Sequence, residues 1–168
     1  NDYGRTKYEA EQIYIKWYLE KPSERSLVII RPTVVFGEGN RGNIYNLMKS
    51  ISSKRFLMIG HGKNIKSIAY VENVAAFIEY CLDFKGQQTF NYIDKPDMDM
   101  NTLVKKIRFS LFESNNVGIR IPSYLAKIIG ILFDLISFLL KKEFSISNIR
   151  IKKFMANSQF DSSIKNTK

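Results

Sequence analysis

Apolar and aromatic side chains in the first twenty residues recur at helical spacing through Tyr3, Tyr8, Ile13, Tyr14, Trp17, Tyr18 and Leu19, which predicts a helix over about 2–20. The pattern then changes to a continuous apolar run, Leu27-Val28-Ile29-Ile30, read as a strand over 26–31 with an extended continuation to 36. Further on, the periodicity predicts helices at 43–53, 71–83, 100–113, 123–141 and 146–156. Strands are expected at 56–59, 66–70 and 88–93, with a short extended piece near 117–121. Lys21-Pro22-Ser23, Gly37 to Gly42, Gly60 to Asn64 and Lys95-Pro96-Asp97 punctuate the boundaries. Strands alternating with helices argue for an α/β fold. Internal repeats and low-complexity tracts are absent from the sequence.

The segment from Tyr124 to Lys142 has its own pattern. Lys127, Gly130, Asp134, Ser137 and Lys141 form one narrow polar stripe at spacings of three and four, and the positions between are mainly Leu, Ile, Phe, Ala and Tyr. A membrane span needs roughly 20 predominantly apolar residues, and the charges of Lys127 and Asp134 interrupt this one. An amphipathic helix with a wide apolar face fits better. Packing within its own lobe is the expected use of that face; a partner subunit, a membrane surface or a further part of the protein are the alternatives.

Charge narrows the function classes only a little. The chain carries 26 Lys and Arg against 16 acids, a net +10 over 168 residues. Such an excess suits solvated faces or attraction to an anion such as a nucleotide diphosphate. The cations are dispersed rather than massed, and no interleaved basic–aromatic stretch marks a nucleic-acid surface, so nucleic acid is not an expected partner. Membrane association is likewise not expected. The single Cys81, among Phe77, Ile78, Tyr80 and Leu82, reads as a buried structural thiol, which excludes an internal disulfide and fits a cytoplasmic location. One His and one Cys leave little material for a metal site.

Candidate chemistry begins at Tyr3-Gly-Arg-Thr-Lys7. On a helix, the i, i+4 spacing puts the phenol and the ammonium on one face. An ammonium beside a phenol favours the phenolate, which makes Tyr3 a candidate general base. Such pairs also decorate ordinary solvated helices, so the spacing alone is not specific.

The following blocks are more specific in combination. Tyr3-Gly-x-Thr-Lys7 with Glu11, then Leu27 to Ile30, then Arg31-Pro32-Thr33-Val34-Val35-Phe36-Gly37, resembles the extended short-chain dehydrogenase/reductase family of nucleotide-sugar epimerases and dehydratases. Gly60-His61-Gly62-Lys63-Asn64-Ile65-Lys66-Ser67-Ile68-Ala69-Tyr70-Val71-Glu72-Asn73-Val74-Ala75 is similar to that family's substrate-lobe signature. The likeness runs in order to Phe160-Asp161-Ser162-Ser163. It implies a partial Rossmann-type fold, with the catalytic helix and last strands of the nucleotide sheet in 1–42 and a substrate-binding lobe in 43–168. The dinucleotide half is expected to lie ahead of residue 1, so the chain reads as a C-terminal fragment, inactive alone.

By that resemblance, Tyr3 takes a proton from a sugar hydroxyl, and Lys7 supports it and contacts the nicotinamide ribose. Pro32, Thr33 and Val35 would lie along the nicotinamide of NAD or NADP; read structurally they are a strand-end turn. Asn43 and Lys66 would contact a nucleotide-diphosphate sugar, Asn43 otherwise serving as a helix N-cap. Lys66 stands where the family often has Arg, offering a point charge instead of a bidentate fork. Leu57 to Ile59 would lie near the base, and His61 reads as a surface residue. The expected reaction is C4 epimerisation through a 4-keto sugar. A 4-ketoreductase, a dehydratase and a non-catalytic binding module keeping the fold remain alternatives. Homodimerisation through the Tyr–Lys helix is a further implication.

One motif is set aside. Gly37-Glu38-Gly39-Asn40-Arg41-Gly42 matches the dinucleotide fingerprint in letters. However, Arg31 and Pro32 are expected to break the preceding strand, and no acid follows Glu38 before Glu72 to hold a ribose.

Overall fold

A computed structural model describes residues 2–140 and 148–162. In chain order its elements are α1 (Asp2–Glu20), β1 (Leu27–Pro32), β2 (Val34–Phe36), α2 (Asn43–Ser52), β3 (Met58–Ile59), β4 (Ile65–Lys66) and β5 (Ile68–Tyr70). There follow α3 (Val71–Cys81), β6 (Gln87–Tyr92), β7 (Met98–Asp99), α4 (Met100–Phe112), β8 (Arg120–Ile121), α5 (Ser123–Leu140) and α6 (Asn148–Met155). The expected helix limits at 141 and 146 fall outside the described residues.

The α/β expectation holds, but the chain divides into two compact units that are discontinuous in sequence. The first comprises Asn1–Glu38, Ile68–Asp94 and Phe160–Lys168; the second comprises Gly39–Ser67 and Lys95–Gln159. The expected boundary at residue 42 follows the sequence, whereas these units follow strand pairing. In the first unit β1 runs parallel to β6, from Leu27 opposite Gln87 to Pro32 opposite Tyr92. Also parallel there are β2 and β5, with Val34 opposite Ile68 and Phe36 opposite Tyr70. Pro32 does not break β1 as expected, because Thr33 supplies the N–H that reaches the Tyr92 carbonyl, at 3.1 Å.

The core of the first unit lies between α3 and its strands. Val74 and Cys81 are buried with Leu27, Ile68, Ala69 and Ile93. Phe77 of α3 meets Phe90 edge-on at 5.4 Å and Tyr92 at 4.9 Å between ring centroids. As expected, Cys81 is a free buried thiol, and burial pushes its pKa up.

In the second unit β3 pairs in parallel with β8, and β4 antiparallel with β7. The core is Ile44 and Ile51 of α2, Met58 of β3, Met100, Leu103, Val104 and Ile107 of α4, Ala126 of α5 and Ile151 of α6. The Asp99 side chain caps α4 by accepting from the Thr102 amide at 2.7 Å. The strand expected over 66–70 is in fact two strands, split at buried Ser67 and assigned to different units.

Packing of α5 is restricted to one strip. Ala126 and Gly130 are its buried residues. A Cβ at Gly130 would lie 2.8 Å from Ile151 Cδ1 and 3.0 Å from Asn148 Cα, so the glycine is what lets α6 approach this closely. At the start of α6, Asp134 accepts from the Asn148 amide at 3.2 Å. The expected burial of the wide apolar face within the lobe is therefore not seen among the described residues; Gly130 and Asp134 of the polar stripe meet α6, and most of the large apolar side chains are exposed.

Candidate active site

α1 has no buried residue, though one face around Glu11 and Ile15 is half-buried, and it is tethered by charged side chains. The Arg31 guanidinium grips Glu11 with both arms, Nε to Oε1 at 2.9 Å and Nη2 to Oε2. That bond holds the Glu11 carboxyl below its ordinary range against the opposing effect of burial. Arg25 stacks over Trp17 at 4.7 Å and bonds Glu20 at 2.8 Å. Arg31, at the end of β1, thus ties the middle of α1 to the sheet. Tyr3 and Lys7 project from the first two turns.

These two side chains come together as the spacing predicts. Lys7 Nζ lies 5.7 Å from the centroid of the Tyr3 ring, and the tyrosine is 74% exposed. Arg5, between them in sequence, turns to Asp2 and Glu9 at 3.5 and 3.1 Å and leaves Lys7 as the cation against the phenol.

Pro32, Thr33 and Val35 occupy the stretch where β1 passes into β2. Val35 pairs with Ala69. The Thr33 hydroxyl is buried and makes no hydrogen bond, an orphan of the kind that a bound group would satisfy. This chain therefore offers a fitting contact for a polar cofactor edge at the position the resemblance assigns. Just beyond, Gly37 approaches Val71 so closely that a Cβ would sit 2.2 Å from Cγ1, at a φ of +153°.

In the second unit Asn43 is the first residue of α2, not its cap. The cap is Gly42, in an extended conformation, which has no side chain to make a cap bond; its own N–H donates to the Asn40 carboxamide oxygen at 2.6 Å and closes the turn. Lys66 lies half-buried, its ammonium directed at the end of α6: it donates to Ala156 O at 2.6 Å, Lys153 O at 3.3 Å and Ser158 Oγ at 3.5 Å. A cation there complements the helix C-terminus, and burial lowers its pKa. Asn64 reinforces the contact by donating to Phe154 O at 2.8 Å. His61 is exposed, as expected, in a turn latched by Asn101 Nδ2 on its carbonyl at 2.9 Å. Arg120 bonds Gly60 O at 2.5 Å and Asn101 Oδ1 at 2.8 Å. Met58, in the stretch expected near the base, is fully buried.

Two carboxylates escaped the sequence reading. Asp94 accepts from the Tyr70 amide at 2.6 Å, Asn73 Nδ2 at 3.0 Å and Tyr92 Oη at 3.1 Å, binding the start of α3 to the end of β6. Burial first, then the bond to Asp94 and its charge, push the Tyr92 phenol up to about 12. Asp97 accepts from Ser67 Oγ at 2.8 Å, Lys95 Nζ at 2.6 Å and Gln159 Nε2 at 3.2 Å. Burial opposes its charge, yet these donors together keep its pKa below the ordinary value. The local signal for Asp94 was a carboxylate just past a strand; two of its three donors, the Tyr70 amide and Asn73, lie more than twenty residues upstream.

A family model described as the 3-beta hydroxysteroid dehydrogenase/isomerase family matches residues 1–105. The chain belongs to that family. The resemblance to extended short-chain dehydrogenases/reductases is thereby borne out, as is a partial Rossmann-type fold. Among curated proteins, the chain is 46% identical over 163 residues to an Escherichia coli O157:H7 N-acetyl-alpha-D-glucosaminyl-diphospho-ditrans,octacis-undecaprenol 4-epimerase, covering 96% of this chain and 49% of that protein. It is 31% identical over 136 residues to a UDP-glucose 4-epimerase of Vibrio cholerae, covering 79% and 40%. The chain thus spans about half the length, or less, of these curated relatives. Among solved structures, MoeE5 in complex with UDP-glucose and NAD superposes with a TM-score of 0.57 at 19% identity, over 72% of this chain and 42% of that one. A Thermotoga maritima UDP-glucose 4-epimerase with UDP-glucose gives 0.56 at 17% identity, over 71% and 40%. At these identities the structures speak for the fold.

Proposed function

We propose that this chain is the catalytic-helix and substrate-lobe portion of an enzyme that inverts C4 of a sugar carried on a diphosphate, working with NAD or NADP. The pairing of Lys7 with Tyr3 on one face of α1 carries the reading. The two curated relatives support it further, since both are named as 4-epimerases of diphosphate-linked sugars. That agreement favours epimerisation over dehydration or simple reduction. The carrier is a nucleoside, as in one relative's name, or a polyprenol, as in the other's.

Tyr3 takes the proton of the C4 hydroxyl as the sugar is oxidised to the 4-keto form and returns it to the inverted hydroxyl. Lys7 sets its positive charge beside the Tyr3 ring. A nicotinamide bound there would supply the hydride chemistry of the oxidation and of the return reduction. Thr33, through its unpartnered hydroxyl, and Pro32 and Val35 beside it, would hold the nicotinamide. Asn43, in the first turn of α2, offers a helix N-terminus to the diphosphate. Lys66 joins it only by releasing the α6 carbonyls it now holds. These 168 residues alone are expected to be inactive, since they span about half the length, or less, of the two curated relatives.

Replacing Tyr3 with Phe in the full-length enzyme tests the proposal. Turnover falls by about 10²–10⁴-fold while affinity for the sugar diphosphate is unchanged. Turnover within a few-fold of wild type would sink the assignment and leave the non-catalytic binding module as the better reading.

A further inference from the structure

We infer that the exposed face of α5 is a membrane-docking surface that lies in the interfacial plane of an anionic bilayer. At 100° per residue, the positions occupied by Tyr124, Leu132, Leu135, Ile136, Phe138 and Leu139 fall within an apolar arc about 200° wide. The arc runs the length of the 18-residue helix, roughly 27 Å at 1.5 Å per residue. It stands open: Phe138 is 81% and Leu139 69% exposed. The helix is long and apolar enough to cross a membrane, but only 11% of it is buried in its own fold.

Three observations select a lipid surface over another protein surface. The arc offers no polar atom apart from the Tyr124 hydroxyl at its N-terminal end, whereas a protein interface places a hydrogen bond about every 100–200 Å². Tyrosine at the rim of an apolar face suits the headgroup level, where its ring is buried and its hydroxyl stays wet. The described residues of α5 and α6 carry a basic excess: Lys127, Arg150, Lys152 and Lys153 stand against the single acid Asp134. That balance complements anionic headgroups.

The helix lies in the plane rather than crossing. Its opposite face is committed to α6 through Gly130 and through Asp134 on the Asn148 amide, and a span would carry those groups into hydrocarbon. Lys127, at the border of the arc, can extend its ammonium to the headgroups from the edge of the buried face. None of this depends on the reaction proposed above.

Flotation of the full-length protein with vesicles tests the inference, using pure phosphatidylcholine and phosphatidylcholine containing phosphatidylglycerol at low salt. Binding is expected to the anionic vesicles and to weaken as salt rises. Leu132→Asp/Leu135→Asp, two changes at exposed positions, should reduce the bound fraction at least about tenfold while leaving circular dichroism and epimerase turnover on a water-soluble substrate unchanged. No flotation with either vesicle overturns the inference, as does flotation that survives the double substitution. Sedimentation that shows a dimer broken by the same substitutions, without vesicle binding, assigns the face to a second copy instead. A monomer without vesicle binding assigns it to the rest of the polypeptide.

Discussion

Replacing Asp94 with Ala removes the common acceptor of three donors: the Tyr70 amide at 2.6 Å, Asn73 Nδ2 at 3.0 Å and Tyr92 Oη at 3.1 Å. A buried donor left without a partner costs about 1–3 kcal/mol. These groups are only partly buried, so water restores part of each bond and the lower end applies. Loss of a carboxylate from the N-terminal end of α3 adds about 0.3–1 kcal/mol. The expected destabilisation is therefore about 2–4 kcal/mol, with Asp94→Asn intermediate because the amide keeps one acceptor oxygen. Urea denaturation at neutral pH measures it, as a lower midpoint with an unchanged slope. The alkaline limb gives a second readout. In the folded protein Tyr92 stays protonated to about 12, against 10 for an ordinary tyrosine. Its contribution is complete below pH 10 and is lost as pH rises towards 12, about 2–3 kcal/mol in all. Without Asp94 only burial still raises the phenol, so the alkaline loss becomes smaller. A change in stability below about 0.5 kcal/mol, with the same alkaline profile, would show that Asp94 does not hold α3 and β6 together.

Glu11→Gln should cost no more than about 1 kcal/mol, because the partner guanidinium is half exposed. The carboxyl's lowered pKa makes the wild-type contribution present above the ordinary carboxylate range and lost as pH falls below it, so acid titration of stability should lose that step in the variant. Ile51→Ala, at a fully buried position in α2, should lower stability by about 2–5 kcal/mol and Ile51→Val by about 0.5–1.5 kcal/mol, read from denaturation midpoints. Gly37→Ala should destabilise more than Gly39→Ala: both glycines sit at positive φ, where a side chain is strained, but of the two only the Cβ at Gly37 would also overlap Val71; equal effects in thermal unfolding would refute the close approach.

What the sequence made legible was local. Helical periodicity located α1 to α4 within one or two residues, and Tyr3 and Lys7 meet because i, i+4 spacing on one helix needs no tertiary information. What escaped it depends on distant partners. Residues 65–70 read as one strand because their apolar pattern is continuous, yet Lys66 pairs with Met98 and Ile68 with Val34. The Ser67 hydroxyl marks the change by donating to Asp97, thirty residues later. Lys66 looked available to a phosphate because nothing near it in sequence competes; its acceptors are some ninety residues downstream. The pattern of α5 located a polar stripe, but not that Gly130 and Asp134 within it would meet α6.

The discontinuity of the two units bears on how such a protein can be altered by recombination. The chain passes between them at 38/39, 67/68, 94/95 and 159/160. A single exchange point within these 168 residues leaves the first unit a hybrid of two parents, and one that falls between β1 and β6 sets β1 from one ancestor against β6 from the other. Exchanging the second unit intact requires the separate segments 39–67 and 95–159 to move together. Chimaeras of close relatives should therefore survive when both segments are transplanted and fail when one is, which makes segment-wise shuffling a more faithful map of this architecture than truncation.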